Sequence, residues 1–201
     1  MDYLKYLGSI ANLYSPKYGY MKVESASLSD SIDGDMVVYF GNPLENERPI
    51  VRIHSLCTFS EVLGSDLCDC TVQLKYALER LSKSKSGILI YLKSDGRGVG
   101  LASKIKATSL QNIGIDTFDA HIKLGLPVDP RDYSKVADFL LNKGIKQITL
   151  LTNSPDKTDA LVRKGIDVIV EPIYVEDPNE KIKILYKTKA EKFGHNIPEF
   201  K

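Results

Sequence analysis

Residues 147–170 read QITLLTNSPDKTDALVRKGIDVIV, and this stretch decides the fold class. Gln147–Leu151 is a short apolar run of strand length. Thr152, Asn153 and Ser154 are helix-capping types, and Pro155 stands where a first helical turn tolerates a missing N–H. A helix from about Asp156 to Arg163 follows, Gly165 closes it, and Ile166–Val170 is a second strand. Strand, helix and strand this close together make a βαβ unit with a parallel pair.

The alternation continues backwards along the chain. A helix of about Tyr133–Asn142 ends at Gly144 and follows a Pro-rich loop, Leu126–Pro130. Another, roughly Leu101–Asn112, stops at Gly114. Before it, Ile88–Leu92 is apolar enough to be a strand buried on both faces. Between Thr71 and Lys83, Leu74, Ala77, Leu78 and Leu81 recur at i, i+3, i+4 and i+7, the mark of an amphipathic helix. Met36–Phe40 and Ile50–His54 are further strands. The expectation is one α/β domain over residues 1–201, with a mixed, partly parallel sheet flanked by helices. Residues 1–35 have weak periodicity and read as an extension on the surface or on a partner chain. Lys187–Gly194 reads as a short terminal helix with a mobile tail after it.

Composition excludes several classes. A net charge of +1 over 201 residues gives no basic field for nucleic acid or an anionic membrane, so an anionic ligand needs a local cluster of cations. No apolar run reaches the roughly 20 residues of a membrane span. The N-terminus lacks the apolar stretch and cleavage site of a signal peptide, so the expected compartment is the cytoplasm. All three cysteines lie between positions 57 and 70, and an odd, clustered set points to metal or catalysis, not to disulfides.

Cys57, Cys68 and Cys70 offer three soft ligands, which suit zinc with a fourth corner open. His54 is the nearest residue that would close the shell. The alternative is three small buried thiols, two of them sharing a face. Gly96-Arg97-Gly98-Val99-Gly100 follows a buried strand and opens a helix, so its backbone N–H groups can approach an anion; ordinary βα turns look the same. Asp129 and Arg131 lie two apart in a loop stiffened by Pro127 and Pro130, which by itself is a local ion pair.

The segment VRIHSLCTFSEVLGSDLCDCTVQL resembles the zinc segment of the GTP cyclohydrolase II family. The resemblance continues through GRGVGL, the DPRDY loop and LLTNSPDK to TKAEKFGH, over about residues 48–195. It implies zinc on Cys57, Cys68 and Cys70, Mg²⁺ travelling with the triphosphate, and GTP or a related purine nucleotide as ligand. It assigns nucleotide contact to Arg52, His54, Ser55, Gln73, Asp95, Gly96, Arg97, Thr117, Thr152 and Lys157, with Thr117 placed on a strand. It assigns proton acceptance to Asp129 and attack on the α-phosphorus to Arg131, although a permanently protonated guanidinium suits clamping phosphate oxygens better. The implied reaction opens the guanine imidazole ring with loss of pyrophosphate, then of formate, and begins riboflavin synthesis in a homodimer.

Several positions depart from the family pattern. Thr108 stands where the family has a tyrosine thought to assist proton transfer near C8, and its hydroxyl is less acidic and shorter. Ser94-Asp95 replaces Gln-Glu, Leu56 replaces Glu, Leu67 replaces Arg, and Thr71 replaces Gly. These changes suggest a reaction that stops at the formamidopyrimidine nucleotide, or a catalytically weak nucleotide-binding relative.

Overall fold

The structure is a computed structural model that describes residues 3–31, 34–175 and 178–197. Seven strands form one sheet in the order β1-β2-β3-β5-β4-β6-β7. They are β1 (Ile10–Ser15), β2 (Gly19–Ala26), β3 (Asp35–Gly41), β4 (Ile50–Ser55), β5 (Ser86–Leu92), β6 (Gln147–Leu151) and β7 (Asp167–Glu171). β1, β2, β3 and β5 pair antiparallel; β5, β4, β6 and β7 pair parallel. The mixed sheet expected from the alternation is present.

Among the described residues seven α-helices accompany it: α1 (Thr58–Glu61), α2 (Cys70–Ser84), α3 (Leu101–Gln111), α4 (Thr117–Lys123), α5 (Ser134–Asn142), α6 (Pro155–Arg163) and α7 (Glu180–Phe193). α5 and α6 cover one face of the sheet, where Val136, Leu140 and Leu161 meet Val51, Ile53 and Ile90. α2 covers the other, with Ala77 and Leu81 fully buried against Val38, Phe40 and Leu89. The i, i+4 pair read from the sequence is thus the face of α2 that enters the core. α2 lies so close to β5 that a Cβ on Gly87 would come within 2.7 Å of the Leu81 Cβ. Gly87→Ala would therefore push the helix off the sheet.

Three expectations need correction. Residues 10–26 are no surface extension: β1 and β2 continue the sheet as an antiparallel hairpin on β3. Thr117 opens helix α4 and lies on no strand. Asp116 caps that helix, its Oδ1 accepting the N–H of Phe118 at 2.8 Å and of Asp119 at 2.9 Å. The terminal helix begins seven residues before the expected Lys187, capped by Asn179, whose Oδ1 accepts Ile182 N–H at 2.9 Å. Of the expected tail, residues 198–201 lie outside the described residues. No described helix is long and apolar enough to cross a membrane.

Candidate active site

The carboxyl ends of β4, β5 and β6 lie side by side, and their following loops wall one cavity of about 230 Å³. This is where an open α/β sheet usually binds its ligand. From β4 come Arg52, His54 and Ser55, then Cys57 at the start of α1. Gln73 comes from α2. The loop after β5 gives Asp95, Gly96 and Arg97, α3 gives Thr108, and α4 gives Thr117. Arg131 and Lys157 complete the residues expected there that line the wall. Asp129 and Thr152 do not line it: Asp129 backs Arg131, and Thr152 Oγ1 accepts the Ser154 N–H at 3.1 Å.

The three sulfurs lie within 4.8 Å of one another, with Cys57 and Cys68 Sγ 3.6 Å apart. Zinc–sulfur bonds of about 2.3 Å in a tetrahedron set sulfur–sulfur edges of about 3.8 Å. The donor set therefore fits zinc in both chemistry and spacing. Hydrogen bonds from Cys68 and Cys70 hold the Cys57 thiol far below its ordinary value, and the same sharing pushes Cys70 well above its own. Three thiolates so close together need a cation between them. Lys104, 3.1 Å from Cys57 Sγ, supplies positive charge from outside.

His54 does not join the sulfurs. Its Nε2 lies 3.0 Å from Glu61 Oε1, and the same carboxylate accepts Cys57 N–H at 2.8 Å and the Tyr91 hydroxyl at 2.5 Å. Glu61 thus ties the β4 end to the first cysteine. Burial works against its charge, but the bonds from His54 and Tyr91 outweigh it and hold its pKa below the usual carboxylate value.

The opposite side is cationic. Arg52 is 5% exposed and donates to Leu151 O and to Gln73 Oε1, each at 2.8 Å; burial lowers its pKa to about 10. Lys157 is 7% exposed and donates to Ile53 O at 2.9 Å; burial, then the charges of Arg52 and Arg131, push its pKa well below normal. Arg97 has φ 59°, the left-handed region, and its guanidinium carbon lies 4.0 Å above the Phe193 ring. Arg131 donates from Nε to Asp129 Oδ1 at 2.7 Å, from Nη2 to Oδ2, and from Nη1 to Ser55 Oγ at 3.1 Å. Gly98 makes room for it, since a Cβ there would lie 3.1 Å from Arg131 Cγ.

Asp95, expected to contact the nucleotide, is engaged by donors from its own loop, α3 and α1. Its Oδ1 accepts Gly96 N–H at 2.7 Å and Lys104 at 2.6 Å, and its Oδ2 accepts Thr58 N–H at 3.1 Å.

Four titratable lining residues escaped the sequence reading: Lys104, His121, Lys189 and His195. Lys104 lies one turn before Thr108 on α3, so its i, i+4 spacing was an available signal. Lys189 and His195 belong to TKAEKFGH, which local pattern alone leaves without a role. α7 brings them in by docking on the site. Tyr186 OH donates to the wholly buried Asp69 at 2.5 Å, Lys189 lies 3.4 Å from the same carboxylate, and Asn196 N–H reaches Asn153 O at 3.0 Å.

Comparison with known proteins agrees with this geometry. The family model described as GTP cyclohydrolase II matches residues 17–173, ending before α7. GTP cyclohydrolase-2 of Buchnera aphidicola is 42% identical over 160 residues, 80% of this chain and 82% of that relative. GTP cyclohydrolase-2 of Streptomyces coelicolor is 38% identical over 181 residues, 89% of this chain and 82% of that relative. Riboflavin biosynthesis protein RibBA of Aquifex aeolicus is 40% identical over 187 residues, 92% of this chain but 46% of that longer relative. With the family model covering most of its length and two GTP cyclohydrolase-2 relatives matched over 82% of theirs, the chain belongs to the GTP cyclohydrolase II family.

Proposed function

We propose that this chain hydrolyses GTP, opening the imidazole ring of guanine and releasing pyrophosphate, and so acts as a GTP cyclohydrolase II in the cytoplasm at the start of riboflavin synthesis. The observation that carries this reading is a single cavity with three convergent thiols on one wall and buried cations on another. Such a site holds a polyanion beside a metal.

Cys57, Cys68 and Cys70 would hold zinc, which when bound supplies Lewis-acid activation of water or of a substrate oxygen. Arg52, Arg97 and Lys157 grip the triphosphate. Arg131, aligned by Asp129 and Ser55, presents its guanidinium to phosphate oxygens as charge builds on departing pyrophosphate. This makes Asp129 a positioning group for Arg131, because both of its oxygens are already taken by that guanidinium. Mg²⁺ arrives with the triphosphate, since Asp69, Asp95 and Asp129 are all engaged with protein donors. Thr108 supports a second reading, in which the product keeps its formyl group.

β1 supports the homodimer. It is an edge strand with Ile10, Leu13 and Tyr14 each about half exposed or more, and an uncovered apolar edge invites a partner.

Purified protein incubated with GTP, Zn²⁺ and Mg²⁺ tests the proposal. Loss of purine with equimolar pyrophosphate, and a ring-opened product by mass, is the expected result. Intact GTP after prolonged incubation would leave a nucleotide-binding protein without turnover.

A further inference from the structure

His121 lies on α4, one turn after Thr117, is 4% exposed, and is among the residues that line the cavity. Its Nδ1 is 2.7 Å from the Thr117 carbonyl oxygen. A carbonyl only accepts, so this contact places the ring hydrogen on Nδ1. Nε2 is then a bare lone pair, buried and with no hydrogen-bond partner. Buried acceptors are nearly always paired, and an exception on a cavity wall points to a ligand.

The position of this ring matters. Helices α3 and α4 pack together, and Thr108 and His121 line the same cavity from those two helices. The cavity's other imidazoles are placed differently. His54 also has a buried, unpaired nitrogen, Nδ1, but its Nε2 is held by Glu61 and the ring stands among Arg52 and Lys157. His195 stands among Lys189, Lys157, Arg97 and Arg131. Both belong to the cationic side, where a further proton is opposed.

We propose that His121 is the proton-transfer residue of the second hydrolysis, the step that removes the formyl group, in place of the short Thr108 hydroxyl. This rests on the ring-opening reading above. Water adds its oxygen to the formyl carbon and loses a proton to Nε2. The C–N bond breaks with its electron pair left on nitrogen, and the proton on Nε2 passes to that nitrogen. The products are the amine and formate with its proton, and the imidazole regains its starting tautomer. Nothing but water is consumed. The Thr117 carbonyl, bonded to Nδ1–H throughout, steadies the ring while it carries positive charge.

The test measures pyrophosphate and formate together on zinc-loaded protein given GTP and Mg²⁺, with product masses. His121→Asn keeps a polar side chain but cannot relay a proton. It is expected to retain pyrophosphate release while initial formate per pyrophosphate falls by about 10²–10⁴-fold and a formylated product accumulates. Adding Thr108→Tyr to that variant is expected to restore formate. A purely structural role would lower both products together and gain nothing from the tyrosine. His121→Gln provides a second check should His121→Asn misfold: it is expected to show the same fall in formate per pyrophosphate, and an unchanged ratio would overturn the proposal. An unchanged ratio in His121→Asn, or a parent chain that releases no formate, would also overturn it. A parent chain that leaves GTP intact would instead sink the ring-opening reading, and this inference with it.

Discussion

Asp129→Ala removes the counterion of Arg131 and leaves the guanidinium in place. The carboxylate accepts Nε at 2.7 Å, Nη2, and the Arg131 backbone N–H at 3.3 Å, so all three bonds go together. The two side chains are 17% and 19% exposed, too little for solvent to screen the pair away. Breaking one side of a buried pair costs about 3–5 kcal/mol, and the residual exposure argues for the lower end, about 3 kcal/mol. Arg97 adds repulsion of the same sign, because its charge faces Arg131. In a chain of this size 1 kcal/mol moves Tm by about 2–4 °C, so the variant should melt about 6–12 °C lower. A polyanion supplies the missing charge: at about 100 times its Kd it returns about 2.7 kcal/mol. Thermal unfolding followed by circular dichroism, with and without inorganic tripolyphosphate at low salt, measures both effects. A Tm within about 2 °C of the parent would refute the claim that Asp129 exists to hold Arg131.

Metal analysis of Cys68→Ser/Cys70→Ser should show near-complete loss of zinc from a parent carrying one ion per chain; full retention would remove the cysteine cluster as the site. Lys157→Ala should chiefly weaken nucleotide binding, with kcat less affected than KM, if its buried ammonium at the start of α6 takes the proposed place beside a phosphate. Burial and the charges of Lys189, Lys157, Arg97 and Arg131 push His195 down to about 3, below the ordinary value of about 6.5. The folded chain therefore binds fewer protons than the unfolded one between those values, and stability falls as pH drops through that window. His195→Gln should flatten the fall in Tm from about pH 7 to about pH 5, and an unaltered slope would place His195 outside the cationic cluster. Sedimentation should give a dimer; a 22.4 kDa species at micromolar concentration would contradict it.

Most of the parallel half of the sheet was legible because β4, β5 and β6 are largely buried and read as apolar runs, while its helices bury one face and leave a period in the sequence. β1 leaves none: five of its six residues are exposed, and a strand with neither face covered has no reason to alternate. α4 was misread for a related reason, since seven residues are too few to establish a helical period against a single Asp cap. The cysteines were readable because their ligand chemistry is local in sequence. Lys189 was not: it meets Asp69 across 120 positions, and only the docking of α7 brings it to the cavity wall. His121 needed coordinates of another kind, because its role depends on which ring nitrogen the Thr117 carbonyl has claimed.

The distribution of charge shows how a chain of net charge +1 can hold a cavity suited to a polyanion. The carboxylates around the cavity are spent on other partners: Asp129 on Arg131, Asp95 on Lys104 and two backbone N–H groups, Asp69 on Gln73 and Tyr186. Arg52, Arg97 and Lys157 meet carbonyl oxygens, an amide or an aromatic ring instead of carboxylates. Their pKa values all fall through burial, so each would gain from an anion that enters. A charged group buried without a counterion is expensive, and proteins seldom gather three unless a ligand supplies the opposite charge. Near-neutral overall composition and a strongly anion-seeking cavity are thus compatible: the first is set by the surface, the second by the few buried cations whose hydrogen-bond partners are neutral.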